Sequence, residues 1–379
     1  MKLLILSTDQ KIFEEKSSVR QRMIDYGGLF EELHIIIYTK RGFRMQNLGS
    51  SNHVFIYPTN TRFKLFYFFD VYRIAKKIIL NSKSEILNPW IITTQDPFET
   101  ALVGYWLKKE FKIPLQIQSH SDFLSPYFKR ESWKNKIRVF LGSWLIKKAD
   151  GVRVVSERIR QSLVKNFQLP SSKITVLPII FDTDDFQKQP VSIDLHKKYP
   201  NFESIILVAS RLTREKNVGL AIQAMTEIIK HNPKSLLLIV GEGPEHRNLK
   251  FKIENLKLKD NIILEPWTDD LVSYYRTSNV FVLTSNYEGG ARSPVEAAAA
   301  GLPVIMTDVA PAREIIKDGI NGFVVPVGDA LTLAEKVIWL INHPKQRGEF
   351  SRNTLAISKQ FPSKSEYLQR YKNSLINLL

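Results

Sequence analysis

The chain has 379 residues, of which 44% are hydrophobic and 24% charged, and this length and composition predict two ordinary globular domains rather than a disordered chain. Cysteine is absent, which excludes disulfides, zinc–thiolate sites, iron–sulfur clusters and a cysteine nucleophile. The formal net charge is +16, and residues 1–187 hold 29 basic against 18 acidic side chains, so the basic surface fits nucleic acid, anionic lipid or phosphorylated small molecules.

Short apolar segments alternate with amphipathic stretches from the N-terminus onward. The first segment is shorter than the roughly 7–15 apolar residues of a secretory signal, and none reaches the ~20 residues of a membrane-spanning helix. We therefore expect a cytoplasmic protein. Most segments are apolar on both faces, as strands of helix-covered parallel sheets are. The strands predicted for the first half are Lys2–Ser7, His34–Thr39, Val54–Tyr57, Ile91–Thr94, Leu115–Gln118, Val152–Val155 and Ile174–Leu177.

A second series of strands begins after the stretch Pro178–Pro190, where we place the domain boundary. Helical stretches such as Val218–Lys230 and Leu331–Ile341 intervene between these strands. Strand–helix–strand repetition indicates parallel sheets covered on both faces. The predicted strands are Ile205–Ala209, Leu236–Val240, Ile262–Leu264, Val280–Leu283, Val304–Met306 and Phe323–Val325.

The predicted fold is therefore α/β, with two doubly wound, Rossmann-like domains that face each other across a ligand-binding cleft. The first domain covers residues 1–183 and the second covers residues 184–362. Residues 363–379 carry apolar side chains at helical spacing and are predicted to pack back onto the first domain. These apolar residues are Tyr367, Leu368, Tyr371, Leu375 and Leu378.

Basic residues follow the predicted strand Ile205–Ala209 directly, in the segment Arg211–Lys216. A helix comes next, and its N-terminal amides and dipole attract anions. Arginine offers phosphate a planar fork, and lysine offers a point charge. The segment is either an anion site or a solvated charged turn.

A glycine pair, Gly241 and Gly243, flanks Glu242 after the predicted strand Leu236–Val240. Glycine lets the backbone approach a ligand closely because it has no Cβ. His246 stands where the dinucleotide fingerprint has its third glycine, which argues against a nicotinamide or flavin site. The alternative to a ligand site is that the two glycines only form a tight turn.

The segment Glu288–Gly301 is the most informative part of the sequence. Ser293 is the expected N-cap and Pro294 the first residue of an alanine-rich helix that ends at Gly301. Glu288 then lies in the loop and Glu296 in the first helical turn.

Gly289 and Gly290 would expose amides between these two carboxylates. Amides at a helix mouth hold phosphate, and carboxylates accept hydrogen bonds from sugar hydroxyls. A favourable charge at a helix N-terminus would account for Glu296, but not for Glu288 or the glycines.

Several motifs occur together in one order, and the set resembles glycosyltransferase family 4, the retaining nucleotide-sugar glycosyltransferases with the GT-B fold. The resemblance covers residues 205–345 well, and the first domain matches mainly by pattern. The motifs are Arg211-x4-Lys216, Gly241–Pro244, Glu288-x7-Glu296, Gly301–Ile305, Glu314–Gly319 and Asn321–Gly322.

The resemblance implies a role for each matching residue. Arg211 and Lys216 would neutralise the donor diphosphate, while Glu288 would hold hydroxyls of the transferred sugar. Glu296 would bind the nucleotide ribose. His120 matches the family's histidine near the sugar, although a purely structural histidine is the alternative. The remaining predicted donor-binding residues are Gly241, Glu242, Gly243, Trp267, Gly289, Gly290, Ala291, Arg292 and Ser293.

The sequence departs from the family at Thr8–Phe13, which lacks the glycine-rich loop that members often carry after the first strand. It shows no Asp-x-Asp metal motif in a suitable loop. We therefore expect neither a metal nor a cofactor, and the diphosphate charge would be met by Arg211, Lys216 and the helix dipole.

The resemblance implies transfer of a hexose from a nucleotide diphosphate to an acceptor hydroxyl with retention at the anomeric carbon. Acceptor binding would fall to the first domain and donor binding to the second. The acceptor would be a glycan or a lipid-linked molecule in polysaccharide, glycolipid or cell-envelope glycan synthesis.

The alternative function is that of a nucleotide-sugar epimerase or a phosphorylase of the same fold. A nucleic-acid-binding protein is disfavoured, because no module of that kind is recognised.

Aromatic and basic residues are interleaved in two stretches of the first domain, Arg62–Phe69 and Lys129–Trp144. Aromatic bodies with basic neighbours suit peripheral attachment to anionic lipid headgroups at the inner face of the cell membrane. The alternative is that the aromatic residues are core and the basic residues merely solvated. Further basic residues follow the first stretch: Arg73, Lys76, Lys77 and Lys83.

Overall fold

A computed structural model describes residues 1–48, 53–81 and 89–379, so that Lys83 lies outside the described residues. The chain divides into two compact units, Met1–Pro178 with Ser365–Leu379, and Ile179–Lys364. The division falls before residue 183 because Phe181 and Phe186 are buried in the core of the second unit.

Among the described residues, the first unit has eight strands in one sheet, in the order β3-β4-β2-β1-β5-β6-β7-β8. Neighbouring strands are parallel, apart from the antiparallel pair β3 and β4. The predicted strands are all present, with small shifts at their ends. The bounds are β1 Lys2–Ser7, β2 Glu32–Ile37, β3 Gln46–Asn47, β4 Val54–Pro58, β5 Trp90–Thr94, β6 Leu115–Ser119, β7 Gly151–Val154 and β8 Ile174–Val176.

The C-terminal helix packs on the first unit, as predicted. Tyr371 of this helix is fully buried, and its ring lies 4.2 Å from that of Tyr26. Gln116 Nε2 donates to the Ser374 carbonyl at 3.1 Å. The helices of this unit are α1 Ser18–Gly27, α2 Tyr67–Asn81, α3 Glu99–Phe111, α4 Pro126–Glu131, α5 Trp133–Ile146, α6 Glu157–Phe167 and, after the second unit, α16 Lys364–Ile376.

The second unit has six strands among the described residues, all parallel, in the order β11-β10-β9-β12-β13-β14. Their side chains are buried on both faces, which is why they read as continuous apolar runs. The bounds are β9 Ser204–Ala209, β10 Ser235–Val240, β11 Ile262–Glu265, β12 Val280–Leu283, β13 Val304–Thr307 and β14 Gly322–Val325.

Helices cover this second sheet, and because its strands are parallel their carboxyl ends share one edge. The loops after β9, β10, β11 and β12 lie at that edge and carry most of the predicted site residues. The helices are α7 Thr183–Lys188, α8 Leu195–Lys198, α9 Val218–His231, α10 His246–Asn255, α11 Leu271–Thr277, α12 Ser293–Ala299, α13 Ala312–Ile315, α14 Ala330–Asn342 and α15 Pro344–Ser358.

Within the described part of the chain, no helix combines the length and apolar character needed to cross a bilayer.

Candidate functional site

Lys216 and Glu288 form an ion pair at the carboxyl edge of the second sheet. Lys216 ends a 3₁₀ turn after β9, and Glu288 lies in the loop after the neighbouring strand β12. Lys216 Nζ donates to Glu288 Oε1, and the two side chains are only 13% and 10% exposed. Ser285 Oγ donates to the same oxygen at 2.6 Å. This burial does not fit a solvated charged turn at Lys216.

Arg211 lies in a different environment from Lys216, on the rim of the same loop. Its side chain is 73% exposed and contacts Glu215 at 3.1 Å. Exposed pairs of this kind contribute little stability, so the guanidinium can turn toward an anionic ligand at small cost.

Glu296 lies in the first turn of α12, as predicted, and the structure shows that its side chain is buried. Its Oε2 accepts from the Tyr275 hydroxyl at 3.0 Å, and its Oε1 accepts from Arg292 Nε at 2.7 Å. Burial raises the pKa of Tyr275, and the charge of Glu296 raises it further. Tyr275 therefore stays protonated and donates to the carboxylate.

The predicted N-cap role of Ser293 is wrong. The helix begins at Ser293 itself, because Arg292 already has helical backbone angles, and no side chain caps this end. The Glu296 amide accordingly donates to the Arg292 carbonyl at 3.0 Å. Gly301 lies just beyond the helix with φ +74°, as the sequence predicts for its end.

The loop that joins Glu288 to α12 is partly built into the core. Ala291 is only 4% exposed and packs in the apolar cluster of the second unit, and Gly289 is buried. Gly290 is half-buried and Arg292 is exposed. The Arg292 guanidinium lies 5.6 Å from the centre of the Phe181 ring.

Gly241 and Gly243 press the loop after β10 against the loop that carries Arg211. A Cβ on Gly241 would lie 1.9 Å from the Ser210 carbonyl oxygen, and one on Gly243 would lie 2.3 Å from that of Leu212. The Leu212 amide donates to the Glu242 carbonyl at 2.8 Å. The close backbone approach is therefore made to the neighbouring loop, and it positions Arg211. The Glu242 side chain is exposed.

Trp267 is 50% exposed in the loop after β11, next to a cluster that sequence reasoning missed. Glu265 ends β11 and accepts from Lys198 Nζ at 2.6 Å and from the hydroxyls of Tyr199 and Tyr274. Burial raises the pKa of Glu265, but these hydrogen bonds and the charge of Lys198 lower it further than burial raises it. The cluster fixes the start of the Trp267 loop.

His120 belongs to the first unit, where it directly follows β6. Its Nε2 lies 2.9 Å from Gln118 Oε1. Desolvation lowers the pKa of His120, and the charges of Arg153 and Arg22 lower it further. The residue is exposed at the surface, so the lowering is smaller than full burial would give, and the ring is expected to be neutral at pH 7.

These features define a two-unit α/β protein with buried carboxylates and a paired lysine at the carboxyl edge of a parallel sheet. Two family models match it, "Glycosyltransferase Family 4" over residues 32–185 and "Glycosyl transferases group 1" over residues 193–356. The chain belongs to this family of glycosyltransferases and has the GT-B fold.

Curated relatives match over part of the chain. Poly(glycerol-phosphate) alpha-glucosyltransferase of Bacillus subtilis is 26% identical over 58% of this chain and 32% of its own length. Alpha-monoglucosyldiacylglycerol synthase of Streptococcus pneumoniae is 26% identical over 61% of this chain and 55% of its own. The capsular polysaccharide glycosyltransferase CapM of Staphylococcus aureus is 29% identical over 54% and 56%. The chain thus spans between about a third and just over half the length of these relatives.

Solved structures share the fold over the whole chain. Anabaena HepE in complex with UDP has a TM-score of 0.76 at 19% identity and covers 100% of both chains. Sucrose-phosphate synthase of Thermosynechococcus elongatus has a TM-score of 0.82 at 19% identity, covering 100% of this chain and 99% of its own.

Proposed function

We propose that the protein is a retaining hexosyltransferase that moves a sugar from a nucleotide diphosphate to an acceptor hydroxyl. The proposal rests on the largely buried Lys216–Glu288 pair, which lies on the same sheet edge as buried Glu296. A cation beside two carboxylates suits a ligand that has both phosphate and sugar hydroxyls. Crystal structures of HepE with UDP and with UDP-glucose support a nucleotide-sugar donor.

Lys216 and Arg211 would stabilise the charge that develops on the leaving diphosphate, which is the main catalytic demand in this reaction. Glu288 would hold hydroxyls of the transferred sugar, and Glu296 would bind the ribose. The departing diphosphate would take the proton of the attacking hydroxyl on the same face, which accounts for retention. The protein's own cations supply the positive charge in this proposal, and no metal takes part.

The acceptor in this proposal is a glycan or a lipid-linked molecule of the cell envelope. Support comes from the names of the relatives, which include a capsular polysaccharide glycosyltransferase and a galactosyltransferase of Escherichia coli acting on GlcNAc-diphosphoundecaprenol. The latter is 28% identical over 45% of this chain and 46% of its own length.

Exposed aromatic residues on the first unit support attachment to the inner face of the membrane. The helix α5 presents Trp133, Ile137, Phe140 and Trp144 at helical spacing on one face, and all four are exposed, Phe140 by 78%. Core packing, the alternative interpretation of the sequence, therefore does not account for them.

The aromatic surface continues onto neighbouring helices. The Trp144 ring lies 5.1 Å from that of Tyr105 on α3, and Trp106 of α3 contacts Phe68 and Tyr72 of α2. Before α2, Phe63 and Phe66 are also exposed. Exposed lysines flank α5 at both ends, among them Lys134, Lys136, Lys147 and Lys148.

A thermal-shift screen of uridine, guanosine and adenosine diphosphate sugars tests the proposed donor site. A ligand at 100 times its Kd stabilises a protein by about 2.7 kcal/mol, so one base series should raise the unfolding temperature of the wild type, and should raise that of Lys216→Ala by less. Failure of all three series to stabilise the wild type would contradict the proposal.

The donor found in the screen is then incubated with and without a membrane extract. Sugar transfer that depends on the extract supports a glycosyltransferase. Isomerised sugar formed without any acceptor would indicate an epimerase, and a strict need for inorganic phosphate would indicate a phosphorylase.

A further inference from the structure

Arg153 is a buried cation in the first unit, 3% exposed, on strand β7. Its Nη1 donates to Gln118 Oε1 at 2.8 Å, and its Nη2 donates to the Tyr367 hydroxyl at 2.7 Å. Within the described residues it has no carboxylate partner. An arginine buried in this way is costly, so its surroundings must compensate for the missing counterion.

The C-terminal helix α16 provides that compensation. The Arg153 guanidinium lies 5.7 Å from the ring centre of Tyr367 and 5.3 Å from that of Tyr371. Aromatic faces attract cations at such distances, more strongly where water is excluded. The Tyr367 hydroxyl also lies 2.9 Å from that of Tyr26. The guanidinium is therefore held in one orientation by residues more than two hundred positions further along the chain.

The orientation of Arg153 fixes the side-chain amide of Gln118. Arginine carries only donors, so the amide atom that faces it must be the oxygen. The amide nitrogen then points the other way, and it donates to Thr93 Oγ1 at 2.9 Å. Gln118 is 6% exposed, and these two contacts leave its amide a single orientation.

The same Gln118 oxygen faces His120. The His120 Nε2 lies 2.9 Å from it, and a carbonyl oxygen can only accept a hydrogen bond. The hydrogen of this contact must therefore sit on Nε2 of the histidine. In a neutral ring the other nitrogen, Nδ1, is then an acceptor.

We propose that Arg153 and Gln118 are positioning residues that hold His120 in its Nε2–H tautomer and present Nδ1 as a hydrogen-bond acceptor. The consequence for catalysis rests on the proposed function: Nδ1 would accept a hydrogen bond from a hydroxyl of a bound substrate. The network also makes the site histidine depend on α16, through the two tyrosines that enclose Arg153.

The tautomer is measured directly on the full-length protein labelled with ¹⁵N-histidine, by two-bond ¹H–¹⁵N correlation spectra. The His120 signals are assigned by their loss in His120→Gln. We expect the wild type to show the Nε2–H pattern. Gln118→Met and Arg153→Met should shift His120 toward a mixture of tautomers, whereas Arg153→Lys, which keeps a donor-only side chain, should retain the wild-type pattern.

Gln116→Met is the matched control. Gln116 lies on the same strand and the same face as Gln118, is 1% exposed and contacts Ser374 of α16. Its side-chain hydrogen bonds within the described residues involve Thr93 and Ser374, not Arg153 or His120. The substitution should therefore lower the unfolding temperature without changing the His120 tautomer. If Arg153→Met does not fold, Gln118→Met carries the test.

A wild-type Nδ1–H tautomer, or a His120 signal unchanged in Gln118→Met, would overturn the proposal regardless of activity. With a donor identified, kcat should fall about tenfold in Gln118→Met, as expected when a group that orients the substrate is misplaced, and stay within about twofold in Gln116→Met. An Nε2–H tautomer that responds to Gln118→Met in a protein that transfers no sugar would uphold the positioning network and refute the proposed function alone.

Discussion

Lys216 illustrates how much a single residue's surroundings reveal. From the sequence, Lys216 could belong either to an anion site or to a solvated turn, and the structure shows it largely buried against Glu288. That pairing could not be derived from sequence, because the two residues lie 72 positions apart and meet only because β9 and β12 are neighbours.

We expect Lys216→Ala to lower kcat by about 100-fold or more at saturating donor, since it removes a group that stabilises charge on the leaving phosphate. Arg214→Ala is the matched control, because Arg214 lies on the same 3₁₀ turn but is 75% exposed and pairs with Glu245 at 3.5 Å. Steady-state kinetics with both variants measure the difference. Near-normal turnover of Lys216→Ala would refute its assignment.

The two glutamates should separate nucleotide binding from sugar transfer. Glu296→Gln should weaken binding of the bare nucleoside diphosphate, because the carboxylate held by Tyr275 and Arg292 is the proposed ribose acceptor. Glu288→Gln should leave that affinity nearly intact and lower kcat instead. Calorimetry with the bare nucleotide, followed by turnover measurements, tests this. Equal losses of nucleotide affinity in both variants would remove the distinction.

At the scale of elements, the strands could be predicted from the sequence more reliably than the connections between them. Strands buried on both faces form apolar runs that are visible in sequence, whereas β3 consists of Gln46 and Asn47 and gives no such signal. The Ser-Pro pair predicted the start of α12 to within one residue, but not that Arg292 would already be helical. The cluster around Glu265 was missed because its partner Lys198 lies 67 positions away.

Gly241→Ala should destabilise the second unit, because a Cβ there would meet the Ser210 backbone oxygen at 1.9 Å. We expect a loss of about 1–3 kcal/mol, as for other steric insertions into packed regions. Gly219→Ala is the control: its Cβ would meet only side-chain atoms of Lys252 and Leu249, the nearest being Lys252 Nζ at 3.4 Å, and the residue lies in helix α9, where alanine is favoured. Denaturant unfolding compares the two. Equal stability of Gly241→Ala and the wild type would contradict this account of the loop.

The Glu265 cluster should give the second unit an acid-sensitive element. Glu265 has a pKa lowered from its ordinary value of 4.5 in the folded state, so its contribution is complete above about pH 4.5 and is lost as the pH falls through the lower, folded-state pKa. Glu265→Gln should therefore be less stable at pH 7 and lose less stability on acidification. Thermal unfolding from pH 7 to pH 3 measures this, with Glu254→Gln as an exposed control. Parallel curves for Glu265→Gln and the wild type would contradict it.

At the scale of the whole molecule, the division into two α/β units followed from the two series of strands and from the stretch Pro178–Pro190 that separates them. The return of α16 to the first unit also followed from its apolar spacing. The buried contacts that α16 makes on the first unit could not be predicted from the sequence, because Arg153 and Tyr367 lie 214 positions apart. Pairings over such distances depend on the tertiary fold.

The exposed face of α5 predicts that the protein binds anionic membranes through its first unit. Aromatic side chains enter the headgroup region, and each basic residue near an anionic surface adds about 1 kcal/mol of attraction. Binding should therefore rise with anionic lipid and fall with salt.

Arg138 is unsuitable for a test of this surface, because it forms a 2.7 Å ion pair with Glu99. The double variant Lys136→Glu/Phe140→Ser should lose most flotation with anionic liposomes at low salt. Lys250→Glu/Phe251→Ser makes the same changes on α10 of the second unit, where Phe251 is 63% exposed, and should float like the wild type. Loss of flotation in both variants would indicate attraction by net charge alone, and retention in the first would exclude α5 as the attachment surface.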